Sequence, residues 1–277
     1  MPTFRHGDAD IHYDLHGASG PPVVLLTGWA VGGGVWEYQV PALAPRHRVA
    51  CLDNRGAGRT RAPTRAWSIR DMAHDVLALF DHLGWQDAHV VGASMGGMIA
   101  QEVALAAPAR TRSLTLIATH SGRLADHLPR IRTLVGFARV NTGPSVARRK
   151  AVERMLFPRT YLDTAPREPI DRAIERDFVV QPPLADRMAQ LGAILRHSTA
   201  RRLRRLTLPT LVVVAGQDDL LPPAGAEALA RIIPGARLVR LPDAGHGVIG
   251  QCPDEVNAAL LDHLAEADRQ APGTSSR

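Results

Sequence analysis

The sequence predicts an α/β protein: a mainly parallel, doubly wound sheet carrying an inserted helical cap. Three observations predict it. Short continuous apolar runs, the mark of strands buried on both faces, alternate with stretches of helical spacing. That alternation stops once, between His120 and about Leu206, and then resumes. Strands joined through helices pair in parallel and bury both faces of their sheet.

The elements follow in order. Ile11 to His16 reads as an opening strand, and Gly17 to Pro22 as a turn cluster. Val23 to Thr27 and His47 to Leu52 are buried-strand runs. Ile69, Met72, Ala73, Val76, Leu77, Leu79, Phe80 and Leu83 fall on one helical face, with Ser68 as N-cap and Gly84 as the stop. Ala88 to Val91 is a strand, Gly96 to Ala107 a helix ended by Pro108, and Leu114 to Ala118 the next strand.

The segment after His120 has no buried-strand run. It is rich in arginine, with prolines at 129, 144, 158, 166, 169, 182 and 183. Short helices fit it, for example around Pro144 to Phe157 and Pro169 to Val180. The strand–helix rhythm returns with a strand at Thr210 to Ala215 and a helix over Pro223 to Ile233. A strand at Arg237 to Leu241 and a helix at Pro253 to Ala267 follow. The expected organisation is a core domain from residues 1–120 and 207–268, a helical cap (lid) from 121–206, and a loose polar tail from 269–277.

Composition excludes several classes. The chain has 277 residues, 45% hydrophobic and 22% charged, which suits a globular protein and not a disordered one. Two cysteines, Cys51 and Cys252, lie far apart, so neither a disulfide scaffold nor a Cys-based zinc site is expected. No apolar run reaches the roughly 18 residues of a membrane span. Met1 to Asp10 carries Arg5, His6, Asp8 and Asp10 with no apolar stretch, unlike a signal peptide. A cytoplasmic location is therefore expected.

Gly92-Ala93-Ser94-Met95-Gly96 matches the G-x-S-x-G pattern, with a strand before it and a helix after it. A sharp strand-to-helix turn crowds the residues two before and two after the serine, which is why both are glycine. Ser94 then stands exposed at a helix N-terminus, where backbone N–H groups favour developing negative charge.

On these residues the chain resembles the α/β-hydrolase superfamily, from about Phe4 to Ala267. Leu26-Thr27-Gly28-Trp29 occupies the place of the family's His-Gly oxyanion turn, with Thr27 where histidine is usual. Asp53-Asn54-Arg55-Gly56-Ala57-Gly58-Arg59 is similar to its D-x-R-G-x-G-x loop. Gly216-Gln217-Asp218-Asp219 with Leu220-Leu221-Pro222 resembles its acid turn, and Ala244-Gly245-His246 its histidine loop. The capped branch that includes enol-lactonases and small-molecule esterases looks closest.

The resemblance implies a catalytic triad. Ser94 is the nucleophile and His246 the base that takes its proton. Asp218 and Asp219 compete as the acid that orients the imidazole. The family places its acid three residues after the glycine, which selects Asp219. Two backbone donors complete an oxyanion hole: Met95, which follows the nucleophile, and Trp29, on the turn after the Val23 strand. The Trp29 ring either lines the acyl pocket or packs in the core. Serine at the elbow argues against haloalkane dehalogenases and epoxide hydrolases, which need a carboxylate there.

Other motifs carry blander readings. Gly32-Gly33-Gly34 lacks the Lys-Ser/Thr continuation and spacing of a nucleotide loop, and reads as a flexible surface loop. Asp53 and Arg55 look like a scaffold turn with locally paired charges. His12 and His16 lie four apart with no third ligand in view, so no metal and no cofactor are expected. Arg201-Arg202-Leu203-Arg204-Arg205 reads as a solvated hinge face rather than a nucleic-acid patch.

The net charge of +6 is unevenly placed. Ser121 to Leu206 holds 18 Lys+Arg against 8 Asp+Glu, a net of +10; the remainder holds 15 against 19, a net of −4. Aromatics, at 4%, do not interleave with the arginines, which argues against a nucleic-acid platform. A basic cap would instead concentrate anionic substrates such as carboxylated lactones or acyl-CoA esters, unless its arginines face solvent. The expected activity is hydrolysis of an ester, lactone or thioester of a small organic molecule. Lyase, cyclase or perhydrolase chemistry on the same triad is a second reading, and a non-catalytic ligand-binding protein a third.

Overall fold

A computed structural model describes residues 2–122, 140, 145–179 and 181–270. Eight strands form one sheet: β1 (Thr3–His6), β2 (Ala9–His16), β3 (Pro22–Leu26), β4 (Arg48–Leu52), β5 (Ala88–Ala93), β6 (Thr111–Ile117), β7 (Thr210–Ala215) and β8 (Arg237–Leu241). Their order across the sheet is β1-β2-β4-β3-β5-β6-β7-β8. The β1–β2 and β2–β4 pairings are antiparallel, and every pairing from β4 to β8 is parallel. The mainly parallel, doubly wound sheet is therefore as expected.

Alternate side chains of each strand enter opposite layers. Val24, Leu26, Val90, Leu114, Leu116, Val212 and Val214 pack under α2 (Ile69–Leu83), α3 (Met95–Ala106) and the later helix Pro223–Ile232. Val23, Leu25, Val91, Ile117, Leu211 and Val213 pack under α1 (Gln39–Leu43) and the last helix, Pro253–Gln270. Helix α2 is framed as its sequence demands. Ser68 and Asp71 form a reciprocal capping box, and Gly84 closes the helix in the left-handed region at φ 66°.

Chain direction across the sheet reverses at β3. Its connection leads outward to β4 on one side, while β5 lies on the other. The loops leaving the C-terminal ends of β3 and β5 therefore diverge, and a crevice at such a point is where open α/β sheets bind ligands.

Between β6 and β7 the chain forms α4 (Ser145–Leu156), α5 (Arg159–Thr164), α6 (Arg167–Ile174), a π-helical turn (Glu175–Val179), α7 (Leu184–Arg196) and α8 (Ala200–Leu203). After β7 come α9 (Pro223–Ile232), α10 (Val248–Gln251) and α11 (Pro253–Gln270). The inserted helices have their own small core, in which Val152, Phe157, Ile170 and Ile174 are buried. Where the insert leaves and rejoins the sheet, Thr199 N donates to Ser121 O at 2.9 Å, and Thr199 Oγ1 donates to Gln101 Oε1 of α3 at 2.6 Å.

The structure adds strand β1 and helices α1, α5, α7, α8 and α10 to the elements named from the sequence. Helix α11 also runs to Gln270, past the expected end at Ala267. Residues 123–139, 141–144, 180 and 271–277, which include part of the expected cap, the start of its first helix and most of the tail, lie outside the described residues.

Candidate active site

The elbow is built by close backbone approach. A Cβ on Gly92 would lie 2.2 Å from Gly96 O, and a Cβ on Gly96 would lie 2.1 Å from Leu26 O. No side chain fits at either position, so both glycines are steric requirements. Ser94, between them, is held at φ 55°, a strained value for a non-glycine residue. The strain is supported from three sides. Ser94 N donates to Ile117 O at 2.9 Å, while Ser94 O accepts from Thr119 Oγ1 at 2.7 Å and from Gly97 N at 3.0 Å. Nothing local in the sequence marked Thr119 for this role.

His246 comes over the sheet edge from the loop after β8. Its Nε2 lies 2.9 Å from Ser94 Oγ, and its Nδ1 lies 2.7 Å from Asp218 Oδ2. Nδ1–H donating to the carboxylate leaves Nε2 with a lone pair facing the hydroxyl, the tautomer a general base needs. The loop is clamped on both sides of the histidine. Gly245 N donates to Gln251 Oε1 and Gly247 N to Leu156 O, each at 2.8 Å. A Cβ on Gly245 would lie 2.6 Å from Leu156 O, so the inserted helices help to fix His246.

The carboxylate on His246 is that of Asp218, which corrects the expectation of Asp219. The physical reason lies in the acid turn. Gly216 N donates to Leu241 O and Gln217 N to Ala244 O, both at 2.8 Å, which pins the first two turn residues beside the histidine loop. The following residue, Asp218, then points at the ring. Its other oxygen, Oδ1, accepts from Leu220 N at 2.9 Å and Leu221 N at 2.8 Å. Buried and fully hydrogen-bonded, this carboxylate is fixed in orientation. Asp219, one residue on, is half-buried.

The turn after β3 packs directly on the serine. A Cβ on Gly28 would sit 3.3 Å from Ser94 Cβ and 3.7 Å from Ser94 Oγ. Thr27, in the usual place of histidine, is buried and braces this turn: its hydroxyl donates to Val31 O at 2.9 Å and accepts from Asn54 Nδ2 at 3.1 Å. Ala30 N donates to Gln190 Oε1 of α7 at 2.8 Å. The Trp29 indole donates to Arg187 O at 2.9 Å, and its ring packs on the apolar cluster of the insert. Met95 opens α3, so its N–H has no acceptor within that helix.

Two scaffold expectations change. Arg55 pairs with Asp75 and Asp8, not with Asp53: its Nε is 2.7 Å from Asp75 Oδ2, and its Nη1 is 2.8 Å from Asp8 Oδ1. Asp53 accepts from Gly33 N at 2.6 Å and Arg59 N at 2.7 Å. The triple glycine is thereby packed onto a buried carboxylate and is not a loose surface loop.

Part of the basic charge of the insert is held in ion pairs among its described residues or with the core. Arg149 and Arg167 share Glu153 and Asp171, Arg172 pairs with Glu168, Arg159 with Asp163, and Arg176 with Glu37 and Asp177. Of the hinge run, Arg202 grips Glu102 of α3 through both nitrogens, at 2.8 and 2.5 Å. Arg187 is buried on α7 beside Trp29, and burial, then the nearby charge of Arg148, push its guanidinium below its usual pKa. Neither cysteine is poised as a thiolate: burial raises the Cys51 thiol to about 12, and burial also raises Cys252.

An elbow serine, a histidine from the last βα loop and a carboxylate from the preceding one define a hydrolase of the α/β class. The model of the family described as alpha/beta hydrolase fold matches residues 21–251, and the chain belongs to that family. It is 34% identical to a protein named carbamate hydrolase RutD from Azorhizobium caulinodans, over 97% of this chain and 100% of that one. It is 32% identical to a pimeloyl-[acyl-carrier protein] methyl ester esterase from Aeromonas hydrophila, over 88% of this chain and 95% of that one. The solved enol-lactonase of Burkholderia xenovorans LB400 superposes with a TM-score of 0.81 at 27% identity, over 95% of this chain and 100% of the other. These hydrolase relatives and the family match make the chain an enzyme of the α/β-hydrolase type. Among the described residues, no helix is long and apolar enough to cross a membrane.

Proposed function

We propose that this enzyme is a serine hydrolase that cleaves an ester, lactone or thioester of a small organic molecule, using Ser94, His246 and Asp218. The observation that carries this reading is the continuous chain Ser94 Oγ, His246 Nε2, His246 Nδ1, Asp218 Oδ2, with separations of 2.9 and 2.7 Å. Ser94 Oγ attacks the carbonyl carbon while His246 Nε2 takes its proton. Asp218 stabilises the imidazolium and holds its orientation. The backbone N–H groups of Trp29 and Met95 receive the oxyanion. Collapse expels the leaving group, which takes the proton from His246. Water, deprotonated by the same nitrogen, then releases the acid and restores Ser94.

The inserted helices, within residues 121–206, act as the cap over this site and supply its substrate wall. Two contacts support that role: Trp29 packs on their core, and Leu156 O anchors the histidine loop. Arg187 and Arg148 give the wall a preference for anionic substrates.

A panel of esters, lactones, thioesters and carbamates, assayed with wild type and Ser94→Ala, tests the reading. Carbamates belong in it because of the RutD-named relative. Turnover of at least one member, lost by about a thousandfold or more in Ser94→Ala, is expected. Absence of turnover alongside tight ligand binding would instead favour a binding protein on this scaffold. Rearrangement or elimination products would favour a lyase or cyclase.

A further inference from the structure

Three side chains meet at the opposite ends of the strands from Ser94. His47 immediately precedes β4, His89 is the second residue of β5, and Asp268 lies in the last turn of α11. One ligand atom from each lies within 4.8 Å of the other two, and among the described residues this is the one His/Cys/Asp/Glu group so arranged. His89, on β5, stands five residues before Ser94, about 16 Å away along an extended chain. The cluster thus takes no part in the triad.

We propose that His47, His89 and Asp268 form a binding site for a divalent transition cation, best fitted by zinc. The donor set, two imidazoles and one carboxylate, is of the kind zinc takes with water as a fourth ligand. Both rings are buried, and each is oriented by a second partner. His47 Nδ1 lies 3.2 Å from Leu43 O, which can only accept, so the proton sits on Nδ1 and the lone pair on Nε2. His89 Nδ1 lies 2.8 Å from Ser113 Oγ, a hydroxyl able to accept in the same way. The rings meet edge to face, with centroids 6.0 Å apart.

His89 Nε2 and Asp268 Oδ1 are 3.2 Å apart. Two ligands of one tetrahedral zinc, each at about 2.0–2.1 Å, stand about 3.3 Å from one another. The His47 donor, within 4.8 Å of the other two, has to close by up to about 1.5 Å to reach that spacing. Two carboxylates and one guanidinium meet beside the rings: Arg112 binds both Asp268, at 2.9 Å, and Asp87, at 2.8 Å. A cation here would tie the end of α11 to two strands, across 179 residues of chain between His89 and Asp268.

Zinc chloride titrated into the full-length, chelator-treated protein, followed by calorimetry and thermal melting, tests the site. One equivalent should bind, with a melting temperature raised by about 5 °C at a hundredfold excess over Kd. His47→Gln and Asp268→Asn should each weaken binding at least tenfold. Binding retained in both variants, or absent in the wild type, would overturn the proposal. Copper(II) bound to the wild type gives a reading independent of how the variants fold. Two nitrogen ligands in its paramagnetic resonance spectrum support the site, and one or none contradicts it.

Discussion

Asp218 and His246 are joined by a 2.7 Å contact from Oδ2 to Nδ1, and the second oxygen of the same carboxylate closes its own turn on Leu220 and Leu221. One buried side chain therefore both shapes the acid loop and orients the imidazole. The two adjacent aspartates should separate sharply in function. Asp218→Asn puts a donor where the ring needs an acceptor, and kcat should fall about 10³–10⁴-fold. Asp219→Asn should stay within about threefold of wild type. Steady-state kinetics on any substrate the enzyme turns over will read the difference.

Asp218 also marks where the sequence stops being legible. The elbow could be read because its constraints are local: Gly92 and Gly96 touch Leu26 and each other's backbone, and strand and helix flank them. The acid could not. Which of two neighbouring carboxylates faces the histidine depends on Gly216 and Gln217 bonding to Leu241 and Ala244, partners remote in the chain. The inserted helices were harder still. Helix α7 inverts the usual pattern, with Leu184, Met188 and Leu195 exposed while Arg187 and Gln190 are buried. Periodicity of apolar residues cannot find the buried face of such a helix. Strand β1 was missed because it is four residues long with one buried apolar side chain, Phe4.

Arg187 makes the charge of the insert testable. Gln190, one turn further along α7, bonds Ala30 N and Arg55 O, so this face of the helix lies against the turn that packs on Ser94. Arg187→Met should lower kcat/KM for an ester bearing a free carboxylate by about 10–100-fold. The matched neutral ester should change by no more than about threefold. Added salt should narrow the wild-type preference. Equal, salt-insensitive kcat/KM for the pair in the wild type would show that Arg187 recognises no anion.

Glu102 should make stability depend on acid pH. Burial raises its pKa, but the hydrogen bond and charge of Arg202, with His197 and Arg70, outweigh burial and hold it below the usual 4.5. A carboxylate depressed in the folded state stabilises fully above its unfolded value. That contribution is lost as pH falls through the folded value. Glu102→Gln should therefore cost about 1–3 kcal/mol near neutrality, with the gap to wild type closing below about pH 4.5. Denaturant melts of both proteins between pH 7 and pH 3 will read it; a gap unchanged with pH would place the effect in packing alone.

The central claim is that Ser94 is an activated nucleophile, and intact-mass measurement after brief exposure to a fluorophosphonate probes it directly. The wild type should gain one phosphonyl adduct, mapped to Ser94, and Ser94→Ala should gain none. Labelling of His246→Ala should be slower by about a thousandfold or more. A wild type that stays unmodified, or an adduct that persists in Ser94→Ala, would contradict the claim.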